Sequence, residues 1–305
     1  MINKRYLKWL DNHINESFEN KTIFISGGHS GIGYEVSRYC LFYKMNVIWG
    51  SRNLTKANEA KENILKEFPN GNVSIYQLDL ADFSSIKDFV NSMMSNQIKI
   101  DYFYNNAGVY RMNKSHTRDG LDLTIGTNFI GTYYLSKLML DYFIKSKQQT
   151  KFLFTTSVMA YLRKIDYDDF LLDKKYGKIK AYCISKREII HTCEYLKENY
   201  PNYSFNLVHP GSTYTPLINK GYKSNFMQKA GKIFMKIFFH SASKAALCTM
   251  LSLTKNNNNN MICPRGIFNL SGYPKVKKVK KSLTKNYHKT MEMTNAIVFK
   301  WLFIC

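Results

Sequence analysis

A short apolar run, Thr22-Ile23-Phe24-Ile25-Ser26, is followed at once by Gly27-Gly28-His29-Ser30-Gly31-Ile32-Gly33 and then by a helical pattern from Tyr34 to Tyr43. Few chain conformations accommodate that order. The branched and aromatic run predicts a buried strand, and the glycines predict a tight turn with positive φ. The helix that follows offers unpaired N–H groups and the positive end of its dipole, which together hold an anion. Strand, glycine-rich turn and helix open a dinucleotide-binding unit whose backbone approaches a pyrophosphate.

The rest of the chain repeats the alternation. Strands are predicted at Asn46 to Gly50, Val73 to Leu78, Ile98 to Tyr104, Lys151 to Thr156, Tyr203 to Val208 and Gly266 to Asn269, separated by helical patterns that include Leu121 to Lys145 and Ala242 to Leu253. This predicts a single-domain α/β fold, a doubly wound seven-stranded parallel sheet with helices on both faces. Small, polar and charged residues gather where those strands end: Gly27 to Gly33, Arg52, Asp79-Leu80, Asn105-Asn106-Ala107-Gly108, Ser157 and Pro210-Gly211. Ligands bind at that edge of such sheets. After the second strand an Asp or Glu would accept the ribose 2′-hydroxyl of NAD. Arg52 stands there instead and offers a fork for a 2′-phosphate, so NADP(H) is the expected cofactor, with Ser30 and His29 as further contacts.

Two features inside helices carry chemistry. Asn128 interrupts an apolar helix, which is costly unless its amide is paired, so it either caps an internal kink or holds a water near a reacting group. Tyr182 and Lys186 lie four residues apart on one helix face, where a fixed ammonium favours the phenolate. Alone, such a pair is usually an exposed lysine beside a half-buried tyrosine.

Composition narrows the partners. The formal charge of +22 admits nucleic acid, an anionic membrane surface or anionic ligands. The asparagine run from Asn256 to Asn260 and the Lys/Asn-rich surface point to compositional bias, and no nucleic-acid motif accompanies the charge, so nucleic acid is not an expected partner. The six cysteines lack metal-ligand spacing and read as reduced thiols, and no metal site is expected. Neither a signal peptide nor a membrane-spanning run is visible. Residues 1–20 are expected to form an amphipathic N-terminal helix, 21–272 the catalytic domain and 273–305 a basic extension read as a solvated tail. Bulky apolar residues alternate with lysines from Gly221 to His240. That segment (a lid at about 214–240) is either a helix lying in a membrane interface or a cover over a greasy substrate.

These motifs, in this order, resemble the short-chain dehydrogenase/reductase family over about residues 20 to 272. Ser26 to Gly33 matches its cofactor turn, Asp79-Leu80 its adenine contact, and Asn105 to Gly108 the motif after the fourth strand. Thr117-Arg118-Asp119-Gly120-Leu121, Ala181 to Lys186 and Val208-His209-Pro210-Gly211 look like the retinol dehydrogenase-type subgroup. The resemblance implies a Rossmann-type fold. It also implies a cofactor site formed by Gly27, Ser30, Gly31, Ile32, Gly33, Arg52, Asp79, Leu80, Asn106, Ala107, Gly108, Tyr182, Lys186, Pro210, Gly211, Thr213 and Thr215. The implied catalytic tetrad is Asn128, Ser157, Tyr182 and Lys186. The activity expected from it is NADP(H)-dependent interconversion of an alcohol and a carbonyl on a lipophilic substrate such as a retinoid, steroid or long-chain aldehyde. Tyr182 is the expected acid/base, Ser157 the group at the carbonyl oxygen, Lys186 the ribose ligand and Asn128 the holder of a relay water. A catalytically silent NADP(H)-binding sensor is the competing reading. Expected besides the substrate are a cytoplasmic location, peripheral contact with a cytosol-facing membrane such as the endoplasmic reticulum, and a homodimer. Ser26 and Thr213 depart from the residues usual in the family.

Overall fold

The structure is a computed structural model that describes residues 2–110, 113–212, 241–266 and 269–302. Eight strands form one sheet: β1 (Thr22–Ser26), β2 (Asn46–Ser51), β3 (Val73–Gln77), β4 (Tyr102–Asn105), β5 (Lys151–Thr155), β6 (Ser204–Val208), β7 (Met261–Pro264) and β8 (Pro274–Lys277). Their order is β3-β2-β1-β4-β5-β6-β7-β8. Strands β1 to β7 are parallel and β8 is antiparallel to β7. The chain reverses its direction of travel across the sheet between β1 and β4, the switch point beside which such sheets bind ligands.

The seven-stranded expectation therefore gains an edge strand. The seventh strand also lies at Met261–Pro264 rather than at 266–269. In β8 two lysines and a proline occupy the edge, residues that discourage pairing with another chain.

Parallel strands buried on both faces need continuous apolar runs, and alternate residues then feed two cores. On one face Phe24, Phe103, Phe152 and Phe205 stand at directly paired positions of β1, β4, β5 and β6. Their ring centroids are 4.4, 5.3 and 5.3 Å apart in sequence across the sheet. This face carries α4 (Phe83–Ser95), α6 (Gly131–Lys145) and α7 (Lys178–Asn199). On the other face Ile23, Ile25, Tyr104 and Leu153 pack with α2 (Gly31–Phe42), α8 (Ala242–Leu253) and Leu10 of α1 (Lys4–Asp11). Helix α3 (Leu54–Glu67) joins β2 to β3. No helix among the described residues is long and apolar enough to cross a membrane.

Two sequence expectations change here. The long helix over 121–145 is interrupted: a short turn α5 (Leu123–Ile125) passes through a π-turn at Gly126–Ile130 before α6 begins. Gly131 N–H reaches the Gly126 carbonyl, five residues back. Among the described residues, 274–302 do not form a solvated tail. Beyond β8 and the short α9 (Lys281–Thr284), α10 (Tyr287–Leu302) lies against α7 with Met291 and Val298 buried. His191 of α7 bonds Thr290 Oγ1 at 2.7 Å and the Leu283 carbonyl at 2.8 Å. Arg187 donates to the carbonyls of Arg163 at 2.8 Å and Ser282 at 2.7 Å. The extension thus braces α7 from behind.

Candidate active site

The glycine turn is built as a close-packed cradle. Gly27 and Gly31 have φ of 67° and 57°, left-handed values that a side chain disfavours. A Cβ on Gly33 would stand 2.7 Å from the Gly27 carbonyl oxygen. Asn106 locks the turn to the end of β4, its amide donating to the Ser26 carbonyl at 3.0 Å. Ser26 Oγ accepts from the N–H groups of Asn106 and Ala107, both at 3.0 Å. A serine therefore does the work here with no need of threonine. Asn106 points into the scaffold and so holds the cradle's shape, a role the sequence reading did not separate from cofactor contact.

At the helix end of the cradle, Ser30 occupies the N-cap of α2 without a side-chain capping bond, and no acid lies in the first turn. The free N–H groups suit a diphosphate. Arg52 is exposed just past β2, and its side chain has no ion-pair partner among the described residues. His29 Nδ1 is buried without a partner. Burial lowers the His29 pKa, and the nearby Lys56 ammonium lowers it further. Lys56 was missed in the sequence because it lies one turn into α3; its signal was a second cation after a strand end that lacks an acid. Asp79 is fixed by an N–H bond to Ser85 Oγ at 2.9 Å, and its own carboxylate accepts from Ala81 N–H at 2.9 Å. Leu80 is buried. Cradle and free helix end fit the diphosphate of a dinucleotide.

Two of the four tetrad candidates, Asn128 and Lys186, meet at Gly108. A Cβ there would stand 3.3 Å from Asn128 Oδ1 and 3.5 Å from Lys186 Nζ. Asn128 sits in the π-turn, and π-turns recur at functional sites. Its amide grips the Val109 backbone on both sides, donating to the carbonyl at 2.9 Å and accepting from the N–H at 2.6 Å. It also donates to Ser185 Oγ at 3.2 Å. The amide that looked costly in the sequence is paired, with the Val109 backbone and Ser185 rather than within its own helix.

Lys186 is 4% exposed and donates to the Thr155 carbonyl at 3.0 Å, its Nζ 5.8 Å from the Tyr182 ring centroid. Burial drops its pKa to about 8. Tyr182 is pushed the other way, up to about 12, because burial opposes the phenolate more than the hydrogen bond from Ser157 favours it. The simple expectation that Lys186 pulls the phenol down does not describe this geometry. Ser157 caps the 3-10 turn Val158–Tyr161, accepting from Met159 N–H at 3.2 Å, which orients its hydroxyl beside Tyr182.

Pro210 and Gly211 follow β6, with Gly211 at a φ of 82°. Thr213, Thr215 and the lid at 214–240 lie outside the described residues.

Helix α7 carries one more unusual group. Glu188, two residues past Lys186, is 0% exposed, and neither carboxylate oxygen has a partner. Burial raises its pKa well above 4.5. A raised carboxylate stays protonated in the folded state while the unfolded chain ionises. The resulting cost is absent at low pH and grows by ~1.4 kcal/mol per pH unit above the unfolded value until the folded pKa is passed. Glu188→Gln is therefore expected to raise the melting temperature at neutral pH, with the gain shrinking to nothing near about pH 4. Thermal melts of both proteins across that range measure it. A gain that does not depend on pH would rule the buried acid out as the cause.

The short chain dehydrogenase family profile matches residues 21–225. Short-chain dehydrogenase TIC 32 A, chloroplastic, from Brassica napus is 31% identical over 225 residues, covering 70% of each chain. Human retinol dehydrogenase 13 is 30% identical over 200 residues, covering 65% of this chain and 60% of the relative. An uncharacterized protein from Mycobacterium paratuberculosis shares the fold with a TM-score of 0.73 at 20% identity, covering 93% of this chain and 95% of that one. An alcohol dehydrogenase from Thermococcus sibiricus, solved with 5-hydroxy-NADP, aligns with a TM-score of 0.58 at 17% identity, covering 77% and 91%. The chain belongs to the short-chain dehydrogenase/reductase family, oxidoreductases that bind nicotinamide cofactors, and is retinol dehydrogenase-like.

Proposed function

We propose that the protein is an NADP(H)-dependent oxidoreductase that interconverts an alcohol and an aldehyde or ketone on a lipophilic substrate. The observation that carries this reading is the convergence of Asn128, Lys186 and Gly108 with the Ser157–Tyr182 pair, beside a glycine cradle tied to the same strand end. Bound there, the nicotinamide would supply or accept the hydride.

The chain's residues handle the proton and the charge. With its pKa near 12, Tyr182 is protonated at neutral pH, the form needed to donate to a carbonyl oxygen. Ser157, in contact with that hydroxyl, is placed to hydrogen-bond the same oxygen as charge develops on it. Lys186, anchored on Thr155, would bind the ribose and return a proton to Tyr182. Asn128 fixes the Val109 backbone and the edge of this network. The preference for NADP(H) rests on Arg52 and Lys56 and on the missing acid after β2. Lipophilicity rests on the retinol and polyprenol dehydrogenases among the relatives, and on the exposed Leu162 and Ile179, which lie within a few residues of Ser157 and Tyr182 in the sequence. Those two residues, with the surrounding lysines, also support a protein peripheral to an anionic, cytosol-facing membrane.

Arg52→Ala is expected to weaken NADPH by about 10- to 100-fold, the worth of charge-assisted bonds to a phosphate, and to leave NADH nearly unchanged. Steady-state KM values for the two cofactors test it. Equal losses for both would end the case for a 2′-phosphate site.

A further inference from the structure

Tyr110 packs directly on the proposed proton donor. Its ring meets the Tyr182 ring edge-on, with centroids 5.5 Å apart and planes at 86°. Edge-to-face packing is one of the arrangements that the ring quadrupoles favour, so the contact has a preferred angle as well as a preferred distance. The last ring torsion of a tyrosine is broad when left to itself. A second ring packed edge-on narrows it, and here the ring so confined is the one that carries the reacting hydroxyl.

Tyr110 belongs to the segment after β4, outside any helix or strand, where a side chain is ordinarily free to move. The backbone beside it is clamped. The Asn128 amide accepts from Val109 N–H at 2.6 Å and donates to the Val109 carbonyl at 2.9 Å, which fixes the peptide units on both sides of Val109. The same amide nitrogen donates to Ser185 Oγ at 3.2 Å, and the Ser185 hydroxyl donates to the Tyr182 carbonyl at 2.9 Å. Asn128 and Ser185 are buried, so water does not compete for these bonds. The connections close on themselves. They run from the Tyr182 backbone through Ser185 and Asn128 to Val109, and return from the Tyr110 ring to the Tyr182 ring. Tyr110 is therefore held relative to the same helical turn that carries the ring it packs on.

We propose that Tyr110 is a positioning residue for Tyr182: clasped through Val109, Asn128 and Ser185, its ring fixes the angle at which the Tyr182 phenol meets the carbonyl oxygen. The inference rests on the alcohol–carbonyl reading and deepens it. Tyr110 acts through its ring and takes no part in hydride or proton transfer, so its own hydroxyl is dispensable.

The test measures kcat and KM with NADPH and a series of carbonyl compounds of graded bulk, in the wild type, Tyr110→Phe, Tyr110→Leu and Tyr110→Met. Tyr110→Phe keeps the ring and is expected to match the wild type. Leucine and methionine fill much of the same space without a ring, and both variants are expected to lose about 10- to 100-fold in kcat, the cost of a reacting group held slightly out of line. The loss should be the same factor for small and bulky carbonyls, with KM for NADPH unchanged, because it lies in the aim of the proton donor and not in the room left for substrate. Titration of NADPH binding in each variant separates this result from misfolding. A kcat unchanged in both Tyr110→Leu and Tyr110→Met, a loss in Tyr110→Phe as large as in those two, or a loss that follows substrate bulk overturns the positioning role while leaving the oxidoreductase reading intact. Failure of the wild type to turn over any of the carbonyls overturns both.

Discussion

Tyr182→Phe is expected to lose about 10²- to 10⁴-fold in kcat, the usual worth of a positioned general acid. The ring is kept, so the edge-on contact with Tyr110 and the packing of α7 persist, and the variant should fold and bind NADPH as the wild type does. The pH dependence of the wild type follows from the same groups. The proposed reduction uses a protonated Tyr182 and a charged Lys186. Tyr182 keeps its proton up to about 12, so the first loss on raising the pH comes as Lys186 discharges through about 8. The reduction profile should therefore be level below that value and decline above it. A profile that rises through the same range would show that Lys186 is not required charged.

Gly131→Ala is expected to destabilise the protein by about 3 kcal/mol, the upper end for overpacking. Glycine to alanine inside an exposed helix would ordinarily stabilise by roughly 0.5–1 kcal/mol, so the sign itself is diagnostic. At Gly131 a Cβ would overlap the carbonyl oxygen of Leu80, with the Leu80 carbonyl carbon at 3.0 Å and the Gly126 oxygen at 3.1 Å. All three are backbone atoms and cannot rotate aside. Relief requires α6 to back away from the Asp79–Leu80 segment, which moves a proposed adenine contact and the π-turn that carries Asn128. Chemical denaturation together with cofactor titration measures the effect: stability and affinity for both NADPH and NADH should fall together. An alanine variant as stable as the wild type would mean that the two segments are not in the contact described.

The cofactor cradle was legible in the sequence because its determinants are local. Glycines sit between a five-residue strand and a helix, and no distant residue needs to be known to read them. Tyr182, Ser157 and Asn128 could be named from motif order, but the meeting of Asn128 with Lys186 at Gly108 and the pairing of Ser157 with Tyr182 depend on how β4, β5 and α7 pack. Other features were hidden for identifiable reasons. The π-turn keeps the apolar periodicity of a helix, and only the spacing of Gly126 and Gly131 hints at it. Strand β7 is short and ends in Pro264 after an asparagine run, which shifted its expected position. Strand β8 was masked by lysines, because Lys275, Lys277 and Lys278 look like a solvated run around an exposed Val276. The opposed pKa shifts of Tyr182 and Lys186 come from burial, which spacing on a helix does not report.

In the proposed reaction Tyr182 moves a proton to or from a carbonyl oxygen while NADP(H) exchanges hydride at its carbon. Absorbance-followed oxidation of NADPH by a graded series of lipophilic aldehydes and ketones, run side by side with wild type and Tyr182→Phe, tests it most directly. Turnover by the wild type is expected, with a loss of about 100-fold or more in the variant while NADPH binding is retained. Equal rates in the two proteins, or NADPH binding without turnover of any carbonyl by the wild type, would contradict it.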